Sequence, residues 1–267
     1  MRIARYVADG GDPAFGIVEL EQDGAGHPDS IAAITGDPLA GPVNYTGQRL
    51  LLDDVRLVSP VIPRSKVIGI GRNYAAHAAE LNNPVPDAPL LFIKPNTAVI
   101  GPGEPIVYPP ETESVHFEGE LAVVIGRICR RVPKDRAADV IFGYTVGNDV
   151  TARDLQTSDK QWARAKGFDS FCPLGPWIVT HLSLDEAADL QVSTTVNGEL
   201  KQDGRTSDML RGIAELVEYV SGFTTLLPGD VILTGTPAGV GPLQPGDSVS
   251  VTVEGIGTLT NPVVAEN

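Results

Sequence analysis

Two glutamates stand one residue apart in His116-Phe117-Glu118-Gly119-Glu120-Leu121. On an extended strand successive side chains alternate, so positions 116, 118 and 120 share a face. Their Cα atoms would lie about 6.6 Å apart, two steps of roughly 3.3 Å, which lets both carboxylates converge on one ion. The opposite face carries Phe117, Gly119 and Leu121, so one side of the strand is apolar and the other acidic. A third carboxylate, Asp149, stands in Gly147-Asn-Asp-Val-Thr-Ala-Arg153-Asp154, where Thr145-Val146 reads as a strand and Ala152 opens a helix, placing Asp149 at the strand's exit. Glu118, Glu120 and Asp149, with no cysteine and no His-x-x-x-His spacing among them, form a hard, oxygen-only set suited to Mg²⁺, Mn²⁺ or Ca²⁺ over Zn²⁺. The same Glu-x-Glu also suits the solvent face of an antiparallel strand.

A second constellation lies in Gly69-Ile-Gly71-Arg72-Asn73-Tyr74-Ala-Ala-His77-Ala-Ala-Glu80. His77 and Glu80, three apart on one helical face, can hydrogen-bond, and a carboxylate holding one imidazole nitrogen raises the basicity of the other. Such a pair activates water or moves a proton near neutral pH; the alternative is an ordinary surface pair on a helix. Gly69-x-Gly71 between a strand and a helix also admits a dinucleotide reading, weakened because the third glycine and a surrounding βαβ unit are missing.

These residues need strands and a few helices to hold them. Lys66–Ile70 reads as a strand, Tyr74–Leu81 as a helix and His116–Ile125 as a strand entering a core; further helices are expected over 134–141, 152–166 and 207–221. Groups of strands with few helices argue for an α+β fold over a doubly wound sheet. Residues 1–64 contain no lysine and offer short β-like runs, which we read as a small N-terminal β domain before a larger domain over 65–267. The length of 267 residues supports a sizeable core without disulfide or metal, so a metal site here would serve function. A net charge of −14 makes nucleic acid and anionic membrane poor partners. The N-terminus lacks the apolar stretch of a signal peptide, no run approaches the roughly 20 residues of a membrane span, and two cysteines at unrelated spacing, Cys129 and Cys172, read as small buried hydrophobes, so a soluble, cytoplasmic protein is expected.

Together the segments resemble the fumarylacetoacetate hydrolase family over roughly residues 66–264, in the family's motif order: Gly71-Arg-Asn-Tyr-x-x-His77-x-x-Glu80, Phe92-Ile-Lys94-Pro, His116-x-Glu118-x-Glu120-Leu, Asn148-Asp149-Val-Thr-Ala-Arg-Asp-Leu-Gln156, Lys166-Gly-Phe-Asp and Thr234-Gly-Thr-Pro-Ala-Gly-Val-Gly241. The resemblance is closest to its small bacterial members, often named 2-hydroxyhepta-2,4-diene-1,7-dioate isomerases, acylpyruvases or oxaloacetate decarboxylases. It implies a mixed β-roll of layered sheets with peripheral helices, a homodimer, Mg²⁺ or Mn²⁺ on Glu118, Glu120 and Asp149, a water-activating or proton-moving dyad of His77 and Glu80 on a lid helix, and an active-site cation at Lys166. Arg72 and Thr236 are candidates for gripping a substrate carboxylate, and Arg153 and Gln156, one helical turn apart, are candidates for facing the site. His116 is a candidate support for the ion or a packing residue, while Lys94, Tyr74 and Asn148 read as structural supports.

The chemistry expected is that of a 2-oxo acid or dienoate chelated by the ion, with charge developing on the keto oxygen as a metal-bound enolate. An acylpyruvate would be hydrolysed at a C–C bond, a hydroxymuconate-type dienol isomerised, and oxaloacetate decarboxylated. A non-catalytic divalent-ion-binding protein is the reading from another class; it has no use for His77, Glu80 and Lys166 together.

Overall fold

Apolar, β-branched runs such as Ala122-Val-Val-Ile125 and Val231-Ile-Leu233 favour extended backbone buried on both faces, and they form the middle of the main sheet. In the computed structural model, which describes residues 1–24 and 26–266, this 12-stranded sheet runs in the order Asn44–Leu51, Ser30–Thr35, Ala14–Glu19, Arg2–Val7, Cys172–Val179, Ile141–Asn148, Gly119–Ile125, Val231–Leu233, Val67–Gly71, Leu90–Lys94, with Arg56–Val58 and Val99–Ile100 pairing off that path. A five-stranded sheet (Glu199–Arg205, Gln191–Val196, Ser248–Val253, Gly257–Ala265, Ile106–Tyr108) packs against it, and a three-stranded one joins Thr151–Ala152, Val115–Phe117 and Gly241–Pro242. Mixed sheets with short helices at their edges make the α+β architecture that the strand groups argued for.

The strands of residues 2–58 continue the main sheet: Arg2 pairs with Val179 and Ile3 with Ile178. Tyr6, Val18 and Ile31 of this segment share one apolar core with Leu121, Val123 and Val179. The same core receives the apolar face of the helix Ile213–Phe223, through Ile213, Leu216, Val217 and Val220.

Four elements differ from the sequence reading, the first three because tertiary hydrogen bonds or a turn override local pattern. The strand expected over His116–Ile125 is broken at Glu118: Val115–Phe117 belongs to the three-stranded sheet and Gly119–Ile125 to the main one, and the Glu118 amide donates to Asn148 Oδ1 (2.9 Å) instead of a ladder partner. The helix over 152–166 is two, Arg153–Ser158 and Ala163–Gly167, separated where Lys160 adopts a left-handed φ of 62°. The helix over 207–221 begins only at Ile213, because the amides of Leu210 and Arg211 donate to Asn73 O (2.7 Å) and Oδ1 (2.9 Å). Lys134–Val140 is a 3-10 helix. Cys172 is buried and Cys129 half-buried, both as free thiols. Among the described residues no helix is long and apolar enough to cross a membrane.

Candidate metal centre and cleft

Register brings the third carboxylate to the first two. Gly119 pairs with Asn148 in the antiparallel ladder, so the residues just beyond the pair, Glu118 and Asp149, lie side by side, and the Asp149 amide donates to Glu118 O at 2.8 Å. Glu120, two residues inward, points to the same side. The result is a buried cluster of Glu118, Glu120 and Asp149 whose ligand oxygens all lie within 4.8 Å of one another.

Carboxylates buried this close together need positive charge nearby. Lys166 Nζ bridges Glu118 Oε2 (2.7 Å) and Asp149 Oδ2 (2.6 Å), Lys94 Nζ donates to Asp149 Oδ1 and to Val150 O (3.2 Å), and Arg153 Nη2 donates to Glu118 Oε1 (2.6 Å). Burial alone would raise the Glu118 carboxyl, but Lys166 and Arg153 outweigh it and hold the group far below the usual carboxylate range. Glu120 goes the other way: burial, then Asp149 and Glu118 as neighbouring negative charges, push it well above its ordinary value, with only the Gly235 amide (2.7 Å) and the more distant Lys166 opposing. Lys166 is raised, burial being overcome by Asp149 and Glu118.

Behind the cluster sits Gln202, fully buried, a residue to which no sequence motif pointed. Its Oε1 accepts from the Gly119 amide (3.0 Å) and Thr194 Oγ1 (2.8 Å), while Nε2 donates to Thr236 Oγ1 (2.7 Å) and Pro237 O (2.8 Å). Every hydrogen-bonding position of the amide is thereby used. The glycine between the two glutamates makes this approach possible, since a Cβ on Gly119 would lie 2.3 Å from Thr194 Oγ1. Gly235, whose amide holds Glu120, has φ +101° and no room for a side chain against Asn73.

A cleft of about 310 Å³ opens above the cluster, lined by Glu118, Glu120, Lys166, His77, Arg72 and Trp162 among others. His77, on the helix Ala75–Glu80, is buried, and its Nδ1 lies 3.5 Å from Glu80 Oε2 without hydrogen-bonding geometry. Glu80 instead accepts from the Gly239 amide (3.1 and 3.2 Å). Burial lowers the His77 imidazole from its ordinary value, with Glu118 the main opposing influence, which favours the neutral ring. Gln156 and Arg153 both line the cleft and are joined to each other, Arg153 Nη1 donating to Gln156 Oε1 (2.7 Å). The Thr236 hydroxyl is already engaged, donating to Gly119 O (2.9 Å) and accepting from Gln202. His116 lies outside the cleft lining, its Nδ1 buried, its pKa lowered to about 4 by burial and by Arg153.

The donor set fits a hard divalent cation. Three buried carboxylates gather in one place, all donors are oxygen, and each carboxylate oxygen has two lone pairs, so the hydrogen bonds described leave capacity for an ion. The lysines and Arg153 hold Glu118 and Asp149 in place.

Residues 66–264 match the family described as Fumarylacetoacetate (FAA) hydrolase C-terminal, and residues 1–60 match one described as Rv2993c-like, N-terminal. The crystal structure of 5-carboxymethyl-2-hydroxymuconate delta-isomerase from Mycobacterium smegmatis is 53% identical in sequence and superposes with a TM-score of 0.89 over 100% of both chains. That of 2-hydroxyhepta-2,4-diene-1,7-dioate isomerase from Mycobacterium marinum is 51% identical, with a TM-score of 0.89 over 100% of this chain and 99% of the other. Mitochondrial oxaloacetate tautomerase FAHD2B of Bos taurus is 44% identical over 220 residues, covering 79% of this chain and 70% of its own. The matched residues include every carboxylate of the buried cluster, both of its lysines and the His77 helix, and the chain belongs to the fumarylacetoacetate hydrolase family.

Proposed function

We propose that this protein is a divalent-metal-dependent enzyme that moves a proton within a 2-oxo acid or its enol, as a 2-hydroxyhepta-2,4-diene-1,7-dioate isomerase does. The observation that carries the proposal is the convergence of Glu118, Glu120 and Asp149 beside Lys166 and His77 in one cleft. Glu118, Glu120 and Asp149 would hold Mg²⁺ or Mn²⁺, which when bound supplies Lewis-acid charge for the 2-oxo end of the substrate.

His77, neutral at physiological pH, takes a proton from the substrate at Nε2 and returns it to another atom of the conjugated chain, so that atoms and charge balance over the cycle. Glu80, near Nδ1, steadies the transient imidazolium. Lys166, kept protonated by its two carboxylates, adds positive charge where the enolate oxygen develops. Arg72 orients a substrate carboxylate, while Arg153 and Gln156, which also face the cleft, position Glu118. Thr236, its hydroxyl engaged on both sides, offers substrate its place in the cleft wall.

Two relatives named as isomerases and one named as a tautomerase favour proton transfer over C–C hydrolysis of an acylpyruvate or decarboxylation of oxaloacetate. A panel of 2-hydroxydienedioates, acylpyruvates and oxaloacetate, assayed with Mg²⁺ and with Mn²⁺, tests the assignment. Turnover that is lost on chelation, restored by metal and absent in Glu118→Ala supports it. Turnover that survives exhaustive chelation refutes the metal dependence, and ion binding without turnover of any member supports a binding protein instead. Sedimentation of the same preparation tests the homodimer that the family resemblance implies.

A further inference from the structure

Arg72 and Lys160 share an uncommon backbone state. Both are non-glycine residues in the left-handed region, at φ 55° and 62°, where L side chains other than Asn and Asp are seldom found. Both line the cleft above the carboxylate cluster, and both also line the adjoining open groove beside Leu90, Phe92 and Ile93, with Trp162 common to the two cavities. They therefore stand at the mouth, where one space opens into the other.

The cations deeper in the cleft are committed: Lys166 to Glu118 and Asp149, Arg153 to Glu118 and Gln156. Those at the mouth are not. Among the described residues neither Arg72 nor Lys160 forms a salt bridge; the Arg72 guanidinium lies 5.9 Å from the Trp162 ring centroid. Asp159, the acid next to Lys160 in sequence, is held by Arg164 Nε and Nη2 at 2.7 and 2.6 Å. In a chain with 34 acidic and 20 basic residues, two unpaired cations at one mouth mark a place built for an anion that the protein itself does not provide.

We propose that Lys160, together with Arg72, grips a second carboxylate at the far end of the substrate, so that the protein selects dianionic over monoanionic 2-oxo acids. This rests on the metal-dependent 2-oxo-acid reading above, in which the carboxylate cluster and its ion take the near end. The cleft of about 310 Å³ is at the small end of ordinary ligand cavities, and Arg72 and Lys160 line the same space as Glu118 and Glu120. Arg72 supplies a planar fork and Lys160 a mobile point charge, and the Trp162 ring in the same wall lessens screening by water.

Calorimetric titration of the Mg²⁺-loaded protein with 2-oxohexanedioate and with 2-oxohexanoate, equal in carbon count but different in charge, tests this. The dianion is expected to bind at least about tenfold more tightly, and Lys160→Gln to reduce that ratio to about threefold or less. Lys160→Glu should bring the ratio to one or invert it, and about 0.5 M KCl should narrow it in the native protein. Lys160 is exposed, so both variants are expected to keep the native melting temperature. A native ratio near one, or a ratio unchanged in both variants, overturns the proposal and leaves the 2-oxo-acid reading standing. Failure of both acids to bind the metal-loaded protein overturns that reading and this proposal with it.

Discussion

Lys166 and Asp149, 17 residues apart in the chain, form a buried ion pair with Nζ 2.6 Å from Oδ2. The same ammonium reaches Glu118 at 2.7 Å, so one cation serves two of the three carboxylates in the cluster. Its place at the end of the short helix Ala163–Gly167 sets the spacing of the acidic groups as well as their charge.

Lys166→Met should therefore be costly, because it leaves two buried carboxylates with reduced compensation. Breaking a buried pair costs about 3–5 kcal/mol, or roughly 10 °C of melting temperature for a chain of this size. A divalent ion replaces part of the lost charge, so Mn²⁺ should raise the melting temperature of the variant by more than that of the native protein. Equal Mn²⁺ effects in the two would show that Lys166 and the ion do not share these carboxylates.

Metal binding should release a proton from Glu120. Its folded pKa is raised, by burial and by Asp149 and Glu118, so without an ion the carboxyl stays protonated to higher pH than a free glutamate. Bound cation favours the carboxylate, so apparent affinity rises with pH until that raised pKa is passed and then levels off. In the metal-free protein the same shift contributes stability at low pH that is lost as pH rises through the raised value. Calorimetry of Mg²⁺ binding in two buffers of different ionisation enthalpy counts the proton; an observed enthalpy independent of buffer contradicts the assignment.

For His77 the expected signature is chemistry without metal loss. His77→Asn should bind Mn²⁺ like the native protein while kcat falls by about 10²-fold or more, the usual contribution of a positioned acid–base group. Because burial lowers the imidazole pKa, the neutral ring persists below the ordinary histidine range, and activity should decline only as pH falls through that lowered value. A variant that has lost the metal would instead make His77 part of the ion's support.

Gln202→Ala removes four hydrogen bonds at once and leaves the Gly119 amide, the hydroxyls of Thr194 and Thr236 and the Pro237 carbonyl short of a partner in the interior. At about 1–3 kcal/mol for a buried polar group left unpaired, a loss of roughly 3–5 kcal/mol in urea denaturation is expected. A loss below about 1 kcal/mol would mean that water or a shift of the 236–237 backbone replaces the amide.

Much of the acidic cluster is legible in the chain itself. Alternation along extended backbone puts Glu118 and Glu120 on one side even though the strand breaks at Glu118, three-residue spacing puts His77 and Glu80 on one helical face, and a strand followed by a helix start puts Asp149 at a terminus. Each of these depends on geometry repeated within a few residues. The helix limits failed for the complementary reason: Met209 fits the apolar spacing of the helix that follows, yet the backbone around it is claimed by Asn73, more than 130 residues earlier.

What the sequence by itself determined is which side chains point together along single elements, and from that the kind of ion they suit. Tertiary structure alone decided that Gly119 faces Asn148, which sets Asp149 beside Glu118, and that Lys94, Lys166, Gln202 and Gly235 surround the cluster from four separate segments. The physical reason is that register, buried charge pairing and amide satisfaction are contests between distant groups for the same partners, and no local spacing records who wins.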